Sequence, residues 1–170
     1  MKIRKLKIEN YKSGYSILEL LFYITFFTVL ALVVIQAIIT MTRSFRESAV
    51  QGDLSESAQI MERISREIRG SDSIASISAN NLRLNTKDSG GVGKTVEFIL
   101  SGDSVQLWEN GALTSSLNSG TIFVTDLGFT EITTVKGKAV RVILTLYSTR
   151  DSLNRPFTFY DTIVLRGDYE

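Results

Sequence analysis

The sequence predicts an α+β protein: one long N-terminal helix packed on a C-terminal antiparallel β-sheet domain. Three observations predict it. Residues 17–41, ILELLFYITFFTVLALVVIQAIITM, form an apolar run of 25 positions with a single charge, Glu19. Residues 43–69 are polar and free of proline, and their apolar side chains recur at steps of three or four, the spacing of one helical face. Beyond Gly70 the chain changes to short runs rich in Val, Ile, Thr and aromatics, separated by Gly, Asn, Asp and Ser.

The first segment, residues 1–14, is a basic leader. Lys2, Arg4, Lys5, Lys7 and Lys12 against Glu9 give it a net charge of about +4, whereas the whole chain of 170 residues carries +1. A basic excess that lies wholly in a short tail signals no general attraction to nucleic acid, which calls for Lys and Arg clustered on a folded face. The tail reads as an address or an orientation signal.

The second segment, residues 15–70, is read as one helix, membrane-spanning over about residues 17–41. At ~1.5 Å per residue the apolar run is long enough for a hydrocarbon core of ~30 Å. Basic residues ahead of it keep the N-terminus cytoplasmic and send the rest of the chain outward. A removable secretory signal is the competing reading, but its apolar region is usually about 7 to 15 residues and ends in a small-residue cleavage site. Residues 40–45 offer no such site. In the polar half, Leu54, Ala58, Met61, Ile64 and Ile68 form the expected apolar stripe. Glu62 and Arg66 stand four apart in the favourable order for an ion pair. Arg63, Arg66 and Arg69 suit the negative end of the helix dipole, and Gly70 is expected to end the helix in a left-handed conformation. Gly52 is a weak point within it.

The third segment, residues 71–170, is the β domain. Strands are expected in NLRLN, TVEFILS, SVQLWE, TIFVTDLGFTEI, AVRVILTLYS and FTFYDTIVLR. Asn110-Gly111 within ENGA is a two-residue hairpin signal. Pro156, the one proline, precedes the last strand, where a missing donor does least harm. The inner face of this sheet is the natural partner for the helical stripe. Trp108, Tyr147 and Tyr160 are read as sheet core or rim, and Phe22, Phe26 and Phe27 as lipid or helix packing.

Cysteine and histidine are both absent from the sequence. Disulfides, thiolate nucleophiles, the common zinc, haem and copper sites and His-based acid–base chemistry are therefore excluded. SGGVGKT, residues 89–95, has the look of a nucleotide-binding loop. However, Asp88 stands where the Walker pattern needs a glycine, and Ser89 replaces the leading lysine of the related KGGVGKT form. A phosphate loop opens a helix, and the residues that follow, Thr95, Val96, Phe98 and Ile99, read as a strand. A nucleotide-dependent enzyme resting on Lys94 and Thr95 is thus a minor reading; Lys94 is taken as a solvated charge on a flexible hairpin. Carboxylate pairs in the β domain, as a glycosidase or calcium site, cannot be tested by spacing.

Gly14 behind a basic leader, then Tyr15-Ser16-Ile17-Leu18-Glu19 opening an apolar run, resembles the N-terminal processing motif of type IV pilins and type II secretion pseudopilins. The resemblance covers the leader and the helix through about Ile39 and is architectural beyond. A weaker similarity links RISREIRGSDSI, TIFVTDLGFTEI and the closing TIVLR to minor pseudopilins of the J type and related minor pilins. The N-terminal resemblance implies a pilin-like fold, cleavage after Gly14 by a membrane aspartyl prepilin peptidase, and N-methylation of the new terminus at Tyr15. In the family the acid matching Glu19 attracts the terminal amine of a neighbouring subunit, an assembly salt bridge. The implied partners are other pilins or pseudopilins, the prepilin peptidase and an inner-membrane assembly platform. No cofactor, metal or catalytic activity is implied.

The implied location is the cytoplasmic (inner) membrane, single-pass, and then an extracytoplasmic filament or pseudopilus. Two departures bear on the role. Thr28 and Gln36 occupy positions where major pilins often carry glycine and proline, which favours a minor subunit, and no cysteine is present for a C-terminal disulfide loop. The alternative is a signal-anchored single-pass protein with an outward-facing ligand-binding β domain.

Overall fold

The computed structural model describes residues 16–135 and 137–166. The chain divides into two compact units, Met1–Ser44 and Phe45–Glu170. Helix α1 (Ile17–Gly70) supplies residues 17–44 to the first and residues 45–70 to the second.

In the second unit the fold is α+β. Residues 45–70 bury Val50, Asp53, Ser57, Ile60, Met61, Ile64, Ser65 and Ile68, a line with helical spacing. This line differs from the stripe expected from apolar residues alone. Met61, Ile64 and Ile68 are buried as expected, but Ala58 is exposed and Leu54 only half-buried, while Asp53 and Ser57 are inside. The polar positions are tolerated because each has a hydrogen-bond partner. The Ser57 hydroxyl donates to the Asp53 carbonyl at 2.8 Å, and that of Ser65 donates to Asp161 Oδ2 at 2.7 Å. Glu62 and Arg66 approach to 3.8 Å with both side chains mostly in water, whereas Arg63 and Glu67 meet at 2.8 Å.

The helix does not end as expected. Gly70 has no positive φ; instead the buried Ser71 closes the last turn, its hydroxyl donating to the Ile68 carbonyl at 2.7 Å and its N–H to the same oxygen at 3.3 Å. A side-chain cap supplies the hydrogen bonds that a left-handed glycine would otherwise arrange.

Five strands follow as an antiparallel meander: β1 (Ser73–Ser78), β2 (Asn81–Lys87), β3 (Gly93–Ser101), β4 (Ser104–Glu109) and β5 (Ala112–Ser116), in sequence order across the sheet. Three more, β6 (Ile122–Thr134), β7 (Gly137–Ser148) and β8 (Phe157–Val164), form a second antiparallel sheet. The single sheet domain expected from sequence is therefore two sheets, and β1 and β5 are strands that local composition did not reveal. Asn110 and Gly111, with φ of 51° and 79°, join β4 to β5 in the two-residue turn their sequence demands.

Alternate residues point inward and meet in one core. Leu82 and Leu84 of β2, Val96 and Phe98 of β3, and Val105 and Leu107 of β4 join Val140, Val142, Leu144 and Leu146 of β7 around Ile60, Met61, Ile64 and Ile68 of α1. Full burial of each such side chain contributes ~1.5–3 kcal/mol. In β6 a bulge between Val124 and Asp126 resets the alternation. Ile122 and Val124 face the core before it, and Leu127 and Phe129 after it. Without the extra residue, Asp126 would turn inward and Leu127 out. The outward faces carry Trp108 and Tyr147, both half-buried, with Tyr147 stacked on Phe123 at 5.5 Å. Tyr160 departs from the core-or-rim expectation and is 71% exposed on β8.

Candidate membrane-crossing and assembly site

Residues 17–44 present their side chains outward, with Ala31 alone half-buried. They include Phe22, Phe26, Phe27, Leu30, Leu32 and Ile38. So large and continuous an apolar surface is foreign to water, and this helix is long and apolar enough to cross a membrane. Beyond its first turn the backbone donors and acceptors are spent within the helix, the condition a lipid environment imposes. Its threonines obey the same condition: the hydroxyls of Thr25, Thr28 and Thr40 donate to the carbonyls of Leu21, Ile24 and Gln36 at 2.8, 2.8 and 2.9 Å.

Glu19 lies in the first turn of α1, where negative charge meets the positive end of the helix dipole. The turn opens at Ser16, whose carbonyl accepts the N–H of Glu19 at 2.9 Å and of Leu20 at 3.2 Å. The Glu19 side chain is exposed, and Tyr23, one turn on, donates its hydroxyl to Oε1 at 3.4 Å, a long and weak hydrogen bond. Oε2 has no hydrogen-bond or ionic partner among the described residues. Tyr23 was missed in the sequence; its signal is an aromatic hydroxyl four residues after a carboxylate, hence on the same helical face. Gly14 and Tyr15, the expected cleavage and methylation positions, lie outside the described residues.

Taking Val29 as the midpoint of the apolar run, Glu19 stands ten residues back, about 15 Å along the axis and at the edge of a hydrocarbon core ~30 Å thick. Because Cβ on a helix tilts toward the N-terminus, the Glu19 side chain leans outward from that core. A single carboxylate can therefore be carried there at a modest cost.

The SGGVGKT segment has none of the geometry of a phosphate loop. Asp88 Oδ1 accepts the N–H groups of Gly90 and Val92 at 2.8 and 2.9 Å, so two of the loop amides are already satisfied internally. Strand β3 follows, with no helix to aim at a phosphate. Lys94 is not the solvated charge expected: it pairs with Glu109 of β4 at 3.1 Å and is 23% exposed. Strand pairing of β3 with β4, invisible in the local sequence, brings the two together.

In the second unit, a surface pocket of about 470 Å³ lies where the helix ends against the chain after β8. Arg66, Arg69 and Arg166 line it over an apolar floor of Val164 and Leu165. Among the described residues no group of three or more acidic side chains is placed to hold a metal ion. No protein-family model matches this chain, and no curated protein or solved structure matches it.

Proposed function

We propose that this chain is a structural subunit, a minor pilin or pseudopilin, of a type IV pilus or type II secretion pseudopilus. It is inserted in the cytoplasmic membrane through residues 17–41, cut after Gly14, methylated at Tyr15, and assembled through its N-terminal helix. The supporting observation is Glu19: one carboxylate at the start of an exposed apolar stretch of helix, residues 17–41, with an oxygen that has no partner among the described residues. In a fibre core built from such helices a bare carboxylate needs a cation, and cleavage after Gly14 creates one at Tyr15. Removing one member of a dry ion pair costs about 3–5 kcal/mol because the other is left unpaired. Charge then sets the register of helices that would otherwise slide, while the β-rich unit stands outside the membrane to meet sister subunits or cargo.

Glu19→Ala tests this. The variant inserts into the membrane as the parent does but enters filaments poorly; equal incorporation removes the pairing role. N-terminal sequencing of the membrane-extracted chain, made in cells with an active prepilin peptidase, reads Tyr15 first. An intact Met1 there overturns the reading.

The arginine-lined pocket favours the second reading, an anchored protein whose β domain binds an anionic ligand. That protein would keep its leader and be indifferent to Glu19.

A further inference from the structure

Within residues 17–41 the polar side chains are Glu19, Tyr23, Thr25, Thr28, Gln36 and Thr40. Glu19 and Tyr23 meet each other, and each threonine is satisfied by a carbonyl one turn back. The Gln36 side-chain amide has no partner among the described residues, and its helix turns it outward. Seven residues past Val29, it stands about 10 Å from the midpoint, inside a half-thickness of ~15 Å. The tilt that helps Glu19 works against Gln36. Its Cβ leans toward the N-terminus, hence toward the bilayer centre and away from the nearer interface. Reaching water therefore goes against the geometry, and the amide's two donors and its oxygen need a partner within the membrane.

We infer that Gln36 is a helix–helix docking site whose occupant is a second copy of this chain, with the two side-chain amides hydrogen-bonded to each other inside the membrane. A primary amide is self-complementary, since it donates through nitrogen and accepts through oxygen. Two copies inserted in the same orientation bring Gln36 to the same depth without further adjustment. The residues one turn either side, Leu32, Val33 and Ile39, are exposed and apolar and supply the packing around the pair.

The inference rests on the membrane-crossing half of the proposed function and holds for either reading of the β-rich unit. It also separates two contacts. A Glu19 that takes the Tyr15 amine of another copy offsets the two helices by about four residues, about 6 Å, whereas the Gln36 pair has no offset. The Gln36 contact therefore belongs to subunits waiting in the membrane and is given up on assembly.

The absence of cysteine from the sequence makes the experiment direct. Leu32→Cys is placed on the Gln36 face of the full chain, and Ile38→Cys, about 160° around the helix, serves as the control. Both are oxidised in native membranes with copper phenanthroline. Leu32→Cys cross-links and Ile38→Cys does not. Adding Gln36→Leu lowers the association roughly three- to thirtyfold, and Gln36→Asn, which keeps the amide, retains most of it. Alkaline washing leaves all variants in the membrane. A retained chain whose cross-link ignores Gln36→Leu, or forms equally at both positions, overturns this inference alone. A chain released by the wash overturns the membrane reading and this inference with it.

Discussion

Asp53 tests how α1 is held to the second sheet. It is 3% exposed, in a helical line that is otherwise mostly apolar. Its Oδ1 accepts the Thr121 hydroxyl at 3.2 Å, its Oδ2 accepts the hydroxyl of the buried Ser148, and Arg150 stands 3.7 Å away. Ser119 reinforces the attachment, donating its N–H and hydroxyl to Glu56 at 2.7 and 3.1 Å. Asp53→Ala removes two hydrogen bonds to a charged acceptor, each contributing ~1.5–3 kcal/mol. Arg150 is half exposed, so its share is screened to at most ~1 kcal/mol. Against these losses stands the relief of no longer burying a carboxylate. The net expectation is a loss of about 2–4 kcal/mol, a large part of the ~5–15 kcal/mol that holds a domain folded.

The assay is urea unfolding of the detergent-solubilised full chain, followed by fluorescence of Trp108, its one tryptophan. Ser148→Ala and the double variant complete a cycle, with an expected coupling between positions 53 and 148 of about 1–3 kcal/mol. A coupling below ~0.5 kcal/mol, or an Asp53→Ala chain as stable as the parent, refutes the view that this buried acid clamps helix to sheet.

Two further outcomes are open to the same measurement. Gly52 is exposed within α1, and nothing lies within 4 Å of an added Cβ, so Gly52→Ala raises stability by ~0.5–1 kcal/mol; a lower urea midpoint contradicts this. Asp151 accepts Arg155 Nε at 2.8 Å and the N–H groups of Leu153 and Arg155, and its pKa falls below the ordinary 3.8, chiefly through the Arg155 side chain. Its carboxylate is favoured in the folded chain, so its contribution is present above 3.8 and disappears as pH falls through the lowered folded value. Asp151→Asn therefore flattens the acid limb of the stability profile below pH 3.8, and an unchanged slope there counts against the ion pair.

Particular elements show where sequence reading stopped. The runs at β2, β3, β4, β6, β7 and β8 carry apolar side chains, many β-branched or aromatic, that alternate in places with polar ones, a signal contained in each short window. SIASIS and ALTSS do not: β1 has a bulge that breaks its alternation, and β5 is an edge strand with every residue exposed. With no residue of β5 buried, nothing requires an inward apolar series there, and its composition carries no alternation. The inward acid at position 53 was missed because its partners, Thr121 and Ser148, lie 68 and 95 residues away. Lys94 was misread for the same reason, its partner Glu109 being 15 residues away on the next strand.

Sequence alone determined the α+β class, the long apolar helix with its single carboxylate, the Asn-Gly turn and most strands. Each of these follows from local periodicity or from the conformational limits of one or two residues. Tertiary structure decided that the strands divide into two sheets, which polar residues join the buried face of α1, how Ser71 ends the helix, and which charges pair. These depend on what the rest of the chain brings alongside, because a polar group is stable inside only where a distant partner meets its hydrogen bonds.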